Sequence, residues 1–381
     1  TIVVIMKILQ VCPYFYPYLA GQERYVLQLS KKLSKHGDQV EVFTINHLAL
    51  PKFELIENIP VHRFNMISAP LNNPISIDFL NAFSKMKSFD LIHIHNEHSF
   101  VSFMTCLYNI FLKKPIVLTC HGQLKFGCSL KDQLEKLYSK TIGRFIFNSV
   151  TKIIALSEDD KNYISGLGVN DDKILILPNA IDTDYVDKCV SNSKVYNELC
   201  GKFVNKRLVL YVGRIIPRKG IEYLIKSVGI VAKKRSDIIF VLIGDGEYKQ
   251  TAKKLCEENV VSNDVLFLNG LSDEVLFSYY KLSDIFILPS LSEGLPTTIL
   301  EAMYLNTPVI STDIPGIRNH FKNVALLVPP KNEYELAEKI IKLLDENDLA
   351  STLSVNGKNH VFNSYTWDKV SESCLKIYKS I

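Results

Sequence analysis

Two carboxylates stand out by type and spacing in PSLSEGLPTTILEAMYLNTPVIST, residues 289–312. Glu293 lies just ahead of a predicted helix, and Glu301 lies more than a turn inside it, with no charge between them. At the rise of an α-helix their separation is roughly 9–12 Å. A carboxylate pair built for glycoside hydrolysis sits closer, at about 5–9.5 Å. The wider spacing suits one acid on a sugar hydroxyl and the other on a ribose, with a diphosphate on the helix end between them. Gly294 and Leu295 continue the loop, Pro296 fits the first helical position, and the amides of Leu295, Thr297 and Thr298 then suit a phosphate. The plainer reading is an acid complementing the helix dipole plus a solvated helix acid. The apolar run ILEAMYL around Glu301 weighs against it.

The cations fall in GRIIPRKG, residues 213–220, after an apolar strand-like run. Gly213 permits a tight turn there, and Pro217 sets up a helix starting near Lys219. Arg214, Arg218 and Lys219 then gather at a helix N-terminus, where cations are unfavourable unless an anion joins them. Arginine occupies only eight positions in this lysine-dominated chain, so two in one short loop are notable. A bound phosphate explains them, and a solvated surface loop is the alternative. GDGE, Gly244 to Glu247, also joins a strand to a helix. A lone Gly-x-Gly marks either a simple turn or a phosphate site.

Two histidine patterns need a reading. HIHNEH (93–98) puts His93 and His95 on one strand face, which tempts a metal assignment, and His121 in LTCHGQ closes another strand. DTD (182–184) imitates an Asp-x-Asp metal motif.

Placing these groups requires strands that end where they begin. Apolar runs at 7–12, 39–44, 90–95, 115–120, 152–157 and 173–178 alternate with amphipathic segments such as 22–36 and 129–148. A second series follows at 207–213, 238–244, 265–270, 284–289 and 308–312. Runs apolar on both faces, alternating with helices, indicate α/β architecture with parallel sheets. Two doubly wound domains would set a ligand at the carboxyl ends of their strands, in a shared cleft. The polar stretch 183–205 reads as a hinge.

The bulk properties exclude several classes. A chain of 381 residues suits two domains, and a formal charge of +4 is too small to imply a nucleic-acid partner. Eight cysteines without a Cys-x-x-Cys pair suggest free thiols in a reducing cytosol. No apolar run reaches the roughly 18 residues of a membrane span. The start TIVVIMKILQVC lacks the features of a signal peptide, and Met6 is a plausible natural start after an extension.

SEGLPTTILEA, GRIIPRKG, GDGE, PNAID (178–182) and PYFYPYLAGQERYVLQLSKKLSKHGDQVEVFT together resemble the retaining glycosyltransferases of family 4, which adopt the GT-B fold. The resemblance covers essentially the whole chain, in order. It implies two Rossmann-like doubly wound domains: an acceptor-side domain at 1–185, a donor nucleotide-sugar domain at 186–362, and a terminal helix at 363–381 crossing back to the first. It assigns Glu293 to hydroxyls of the donor sugar, Glu301 to the nucleotide ribose, and Arg214 and Lys219 to the diphosphate. Gly213, Gly244, Glu247, Gly294, Leu295 and Thr297 join the donor site. Gly21 would lie in a loop closing over the donor, and His121 beside the reacting sugar. Metal-free chemistry is the rule for the family, so no metal or cofactor is expected, and Asp182 reads as structural. Ala20-Gly21, Ala180, Pro315-Gly316 and Asn319 depart from the usual pattern and put sugar preference in doubt.

The expected activity is transfer of a sugar from a nucleoside diphosphate donor to an acceptor hydroxyl with retention, in glycan or glycolipid assembly. A nucleotide-sugar epimerase or a non-catalytic sugar-nucleotide-binding subunit are the alternatives. Partners implied are the nucleotide sugar and a glycan or lipid-linked acceptor. In residues 131–147, an apolar stripe (Leu134, Leu137, Tyr138, Ile142, Phe145, Ile146) lies against a polar one (Lys136, Lys140, Arg144). Such a segment suits peripheral contact with an anionic membrane, or packing on a sheet. The implied location is cytoplasmic, extended by that contact to the inner face of the cell membrane.

Overall fold

The computed structural model describes residues 5–18, 21–121 and 138–381. Ala20, Lys125, Cys128 and residues 131–137 therefore lie outside the described residues. The chain forms two compact units, residues 1–179 with 367–381, and residues 180–366.

Unit 1 is built on eight strands: β1 (Lys7–Val11), β2 (Gln39–Asn46), β3 (Phe53–Ile56), β4 (Ile59–Asn65), β5 (Leu91–His95), β6 (Ile116–Cys120), β7 (Lys152–Ala155) and β8 (Ile174–Ile176). Their order is β3-β4-β2-β1-β5-β6-β7-β8. All neighbours pair in parallel except β3 and β4. β5 and β6 are buried along their whole length, which is why their sequences are apolar on both faces apart from two histidines and a threonine. The β3–β4 hairpin was not legible from periodicity. Its strands mix polar and apolar residues around Pro60, and its turn rests on Glu57 and Asn58, both with positive φ, as a two-residue hairpin requires.

The helix Gly21–Lys35 covers one face of this unit, and the helix Trp367–Lys379 packs against it. Lys32 Nζ reaches Asp368 at 2.9 Å, and the rings of Tyr25 and Trp367 meet edge to face at 5.0 Å. These contacts bring the end of the chain onto unit 1.

Unit 2 holds β9 (Arg207–Val212), β10 (Ile238–Ile243), β11 (Val265–Leu268), β12 (Ile285–Leu288), β13 (Val309–Thr312) and β14 (Leu326–Val328). The order is β11-β10-β9-β12-β13-β14, parallel throughout. The strand order reverses direction between β9 and β12, and such a switch point opens a crevice at the carboxyl ends.

Residues 183–205 are mostly helical rather than irregular. Asp182 caps the helix Thr183–Val190 by accepting from Tyr185 N at 3.2 Å, and a second helix spans Ser193–Lys202. Both pack on the helix Asp273–Leu282, with Lys281 over the Tyr196 ring and Phe203 edge-on to Tyr279. The polar residues are the solvent faces of short amphipathic helices, so the boundary between units falls at 179/180 rather than after 185. The seven described cysteines are free thiols. No described helix is long and apolar enough to cross a membrane.

Candidate functional site

The loops that leave β9 and β12 flank the switch point of unit 2, and their backbones are joined. Leu291 N donates to Arg218 O at 2.8 Å, and Arg218 Nη1 donates to Ser292 O at 2.6 Å. Between them Lys219 Nζ pairs with Glu293 Oε1. Both side chains are largely withdrawn from water, at 13% and 9% exposure. A paired charge in such a place is no obvious gain for folding, because desolvation offsets most of the attraction.

Helix starts converge on the same loops. Pro217–Lys219 forms a short 3₁₀ turn and the α-helix begins at Ile221, so Lys219 precedes the helix rather than opening it. Gly220 is there at φ +69 because any Cβ would run into the carbonyl oxygen of Pro289. Pro296 takes the N-cap position and the next helix begins one residue later, at Thr297. Neither helix has a side-chain cap, which leaves first-turn amides for another acceptor. A third helix, Pro315–Phe321, brings Gly316 against the carbonyl oxygens of Glu293 and Gly294.

Glu301 is half-buried on the helix Thr297–Tyr304, and its Oε2 accepts from the Tyr280 hydroxyl at 2.8 Å. Tyr280 is fully buried, and burial together with the Glu301 charge pushes its hydroxyl far above the usual range. Tyr211, at the end of β9, donates its hydroxyl to Arg214 O at 2.8 Å. Burial, then the Glu293 charge, raise its pKa against the opposing pull of Arg214 and Arg218. Sequence reasoning missed both tyrosines; each lies in an ordinary apolar stretch with nothing local to mark it.

Gly213, Arg214 and Gly244 line a hollow of about 270 Å³ at the ends of β9, β10 and β11, together with Asn269, Leu271 and Leu276. Gly244 has φ +152, and a Cβ there would strike the carbonyl oxygen of Gly213. Asp245 turns back on its own loop, accepting from Gly246 N at 2.9 Å and Asn269 Nδ2 at 3.0 Å, and these bonds followed by Lys249 hold its carboxyl below the usual range. Glu247 is exposed and does not line the hollow. Leu295 packs half-buried on the core, and Thr297 is half-buried at its helix start.

Unit 1 presents a different set. Gly21 is the exposed first residue of the helix Gly21–Lys35 rather than a loop residue, and a Cβ there would meet nothing within 4 Å. His121 follows β6, and its Nε2 lies 3.2 Å from His95 Nδ1. Burial lowers the His121 pKa to about 4 against the opposing charge of Glu97. Two of the HIHNEH histidines, His93 and His95, are engaged at both ring nitrogens. His93 meets the Tyr378 hydroxyl at 2.5 Å and Thr119 Oγ1 at 2.7 Å, while His95 meets His121 and, at 2.7 Å, Gln10 Oε1. Burial pushes the Glu97 carboxyl up, but its pairing with His98 at 3.2 Å, together with hydrogen bonds from its own backbone and Cys120, holds it below its usual range. A second hollow, of about 300 Å³, opens at the ends of β1 and β5 and is lined by Tyr14, Tyr18, Gln22, Glu23, Asn73 and Asn96, among others.

In residues 138–147 the apolar side chains turn inward: Ile146 and Phe147 are buried, Ile142 and Phe145 pack against the core, and Phe145 meets Phe103 at 5.8 Å. Lys140 and Arg144 stay exposed. The described part of the 131–147 stripe therefore packs on unit 1 and offers only its cationic side to solvent.

Two family models match the chain: Glycosyltransferase Family 4 over residues 19–185, and Glycosyl transferases group 1 over residues 199–360. An uncharacterized glycosyltransferase of Methanocaldococcus jannaschii is 27% identical over 390 residues, covering 97% of each chain. The UDP-Gal:alpha-D-GlcNAc-diphosphoundecaprenol alpha-1,3-galactosyltransferase of Escherichia coli is 26% identical over 305 residues, covering 77% of this chain and 76% of its own. Among solved structures, Anabaena HepE in complex with UDP superimposes with a TM-score of 0.78 at 18% identity, covering 99% and 100%. The chain belongs to the family 4 retaining glycosyltransferases, has the GT-B fold, and takes its sugar from a nucleotide-sugar donor.

Proposed function

We propose that unit 2 binds a nucleoside diphosphate-sugar with its diphosphate on the uncapped starts of the helices at Ile221 and Thr297. The observation that carries this reading is the Lys219–Glu293 pair, withdrawn from water beside those helix ends. Arg214 and Lys219 neutralise the diphosphate, and Glu293 holds hydroxyls of the sugar. Glu301, oriented by Tyr280, takes the ribose, and the base enters the hollow at Gly213, Gly244 and Leu271. Cations and aligned amides aimed at the departing diphosphate lower the barrier by stabilising charge as it develops. They do so without a metal ion. A leaving phosphate oxygen takes the proton of the acceptor hydroxyl on the same face of the sugar, and His121 contacts that sugar. A panel of labelled nucleotide sugars, scored for binding and slow hydrolysis, tests the reading. One donor should bind and lose its binding in Lys219→Ala; a panel without a binder, or one indifferent to that change, refutes it.

The acceptor belongs in the 300 Å³ hollow of unit 1, where Tyr14 and Tyr18 supply ring faces and Gln22, Asn73 and Asn96 supply amides for hydroxyls. A lipid-linked glycan is the acceptor we favour, as in the name of the Escherichia coli relative. Exposed Leu107, Ile110 and Phe111 close the helix Phe100–Leu112, followed by Lys113 and Lys114, and that helix packs beside the one bearing Arg144. Apolar side chains ringed by cations suit an anionic membrane surface. Co-sedimentation with anionic vesicles at low salt should capture the protein, and Phe111→Ser with Lys113→Glu and Lys114→Glu should release it. No pelleting, or pelleting untouched by these changes, ends this part of the proposal.

A further inference from the structure

The histidines of unit 1 form a chain with a direction. Gln10 on β1 turns its carbonyl oxygen to His95 Nε2 at 2.7 Å, and an amide oxygen only accepts, so that nitrogen carries the hydrogen. A neutral imidazole with a hydrogen on Nε2 has a bare Nδ1. His95 Nδ1 faces His121 Nε2 at 3.2 Å, so the hydrogen between these rings belongs to His121. The Tyr25 ring stands edge-on to both imidazoles, at 5.9 Å from His95 and 5.1 Å from His121, and fixes their planes. We propose that Gln10 and His95 are positioning residues that lock His121 as its Nε2–H tautomer, so that Nδ1 meets a sugar hydroxyl as a hydrogen-bond acceptor and never as an acid.

The proposal rests on the assignment of His121 to the sugar and adds what that side chain does there. Burial keeps both imidazoles neutral near pH 7, the condition under which a tautomer is defined. It also gives the HIHNEH motif a use that its spacing does not suggest. His93 belongs to the same cluster but is held separately, by Tyr378 and Thr119.

The test is a two-bond ¹H–¹⁵N correlation spectrum of the full-length chain, labelled with ¹⁵N-histidine, at pH 7. His121→Asn and His95→Asn assign the two signals. In the unaltered protein His121 should show a protonated Nε2 and a bare Nδ1; the opposite pattern overturns the proposal. His95→Leu removes the acceptor and should average the His121 signal between tautomers. His95→Asn, whose amide oxygen replaces Nδ1, should keep it single. A single unchanged tautomer in His95→Leu also overturns the lock. Donor turnover should fall roughly tenfold in His95→Leu and recover in His95→Asn, the size of one lost oriented hydrogen bond. If the spectra behave as expected while His121→Asn leaves turnover of every nucleotide sugar unchanged, the lock stands and the contact with sugar is overturned.

Discussion

The carboxyl edges of the two sheets solve different problems with different chemistry. In unit 2 the edge carries formal charges that answer one another, Lys219 with Glu293 and Lys249 with Asp245, beside helix ends that lack caps. In unit 1 the corresponding edge carries one buried charged pair, Glu97 with His98, but is otherwise dominated by neutral imidazoles, amides and hydroxyls linked in series, Gln10 to His95 to His121 and Tyr378 to His93 to Thr119. Charge is suited to holding a diphosphate, whose strength of binding depends on Coulomb energy. A directed hydrogen-bond chain is suited to presenting one atom in one protonation state.

The largest effect should come from halving the charged pair. Lys219→Ala leaves Glu293 withdrawn from water and uncompensated, a loss of about 3–5 kcal/mol for a buried pair. Circular dichroism in urea should show an earlier transition, and adding Glu293→Gln should restore part of the loss. Trp367, the single tryptophan, lies in unit 1 against Tyr25, and its fluorescence should move less. Equal shifts in both signals would break the comparison.

Acid should attack the other unit. Burial holds His121 at about 4 and His93 at about 3, below the roughly 6.5 of an exposed imidazole. The unfolded chain therefore binds protons that the folded one refuses, and stability falls as pH drops below about 6.5, until the folded groups themselves titrate. The stake is on the order of 3–5 kcal/mol for each imidazole. Trp367 fluorescence should report loosening of unit 1 between pH 6 and pH 4; a signal flat down to pH 4 contradicts the neutral cluster.

A smaller effect, on chemistry rather than folding, is expected at Arg214, whose side chain is exposed. Arg214→Ala should cost about 1.5–3 kcal/mol of transition-state binding, roughly 10–150-fold in donor turnover. Unchanged kcat/KM would remove it from the diphosphate. The smallest is Tyr280→Phe, which takes one oriented hydrogen bond from Glu301 and should weaken nucleoside diphosphate binding by about 1 kcal/mol. Calorimetry with the nucleotide alone measures it. Glu301→Gln should weaken the same binding more, and Glu293→Gln should spare it while depressing transfer.

Much of this was legible in the chain itself. Strands buried on both faces must be apolar along their length, so β5, β6, β9, β10 and β12 announced themselves, and the loops after β9, β10 and β12 carry the glycines, prolines and charges of the motifs. The β3–β4 hairpin escaped because its outer strand keeps Phe53 and Leu55 exposed, which breaks the pattern that burial imposes. The stretch 183–205 misled because short helices that bury one narrow side look, in composition, like a linker. Gly21, placed in a loop by the resemblance, is instead the exposed first residue of the helix Gly21–Lys35.

Local sequence thus determined which residues end up at strand ends, because backbone periodicity and turn chemistry act over a few positions. It also determined the family, since several short motifs in fixed order are specific together. What only the tertiary structure decided is which of those residues touch. Lys219 and Glu293 are 74 positions apart, and Gln10 and His95 are 85 apart. Such pairings are set by strand order and register, not by local pattern. A hydrogen bond needs its partners within about 3 Å and correctly aimed, and no property of one segment encodes where a distant segment will bring its lone pair.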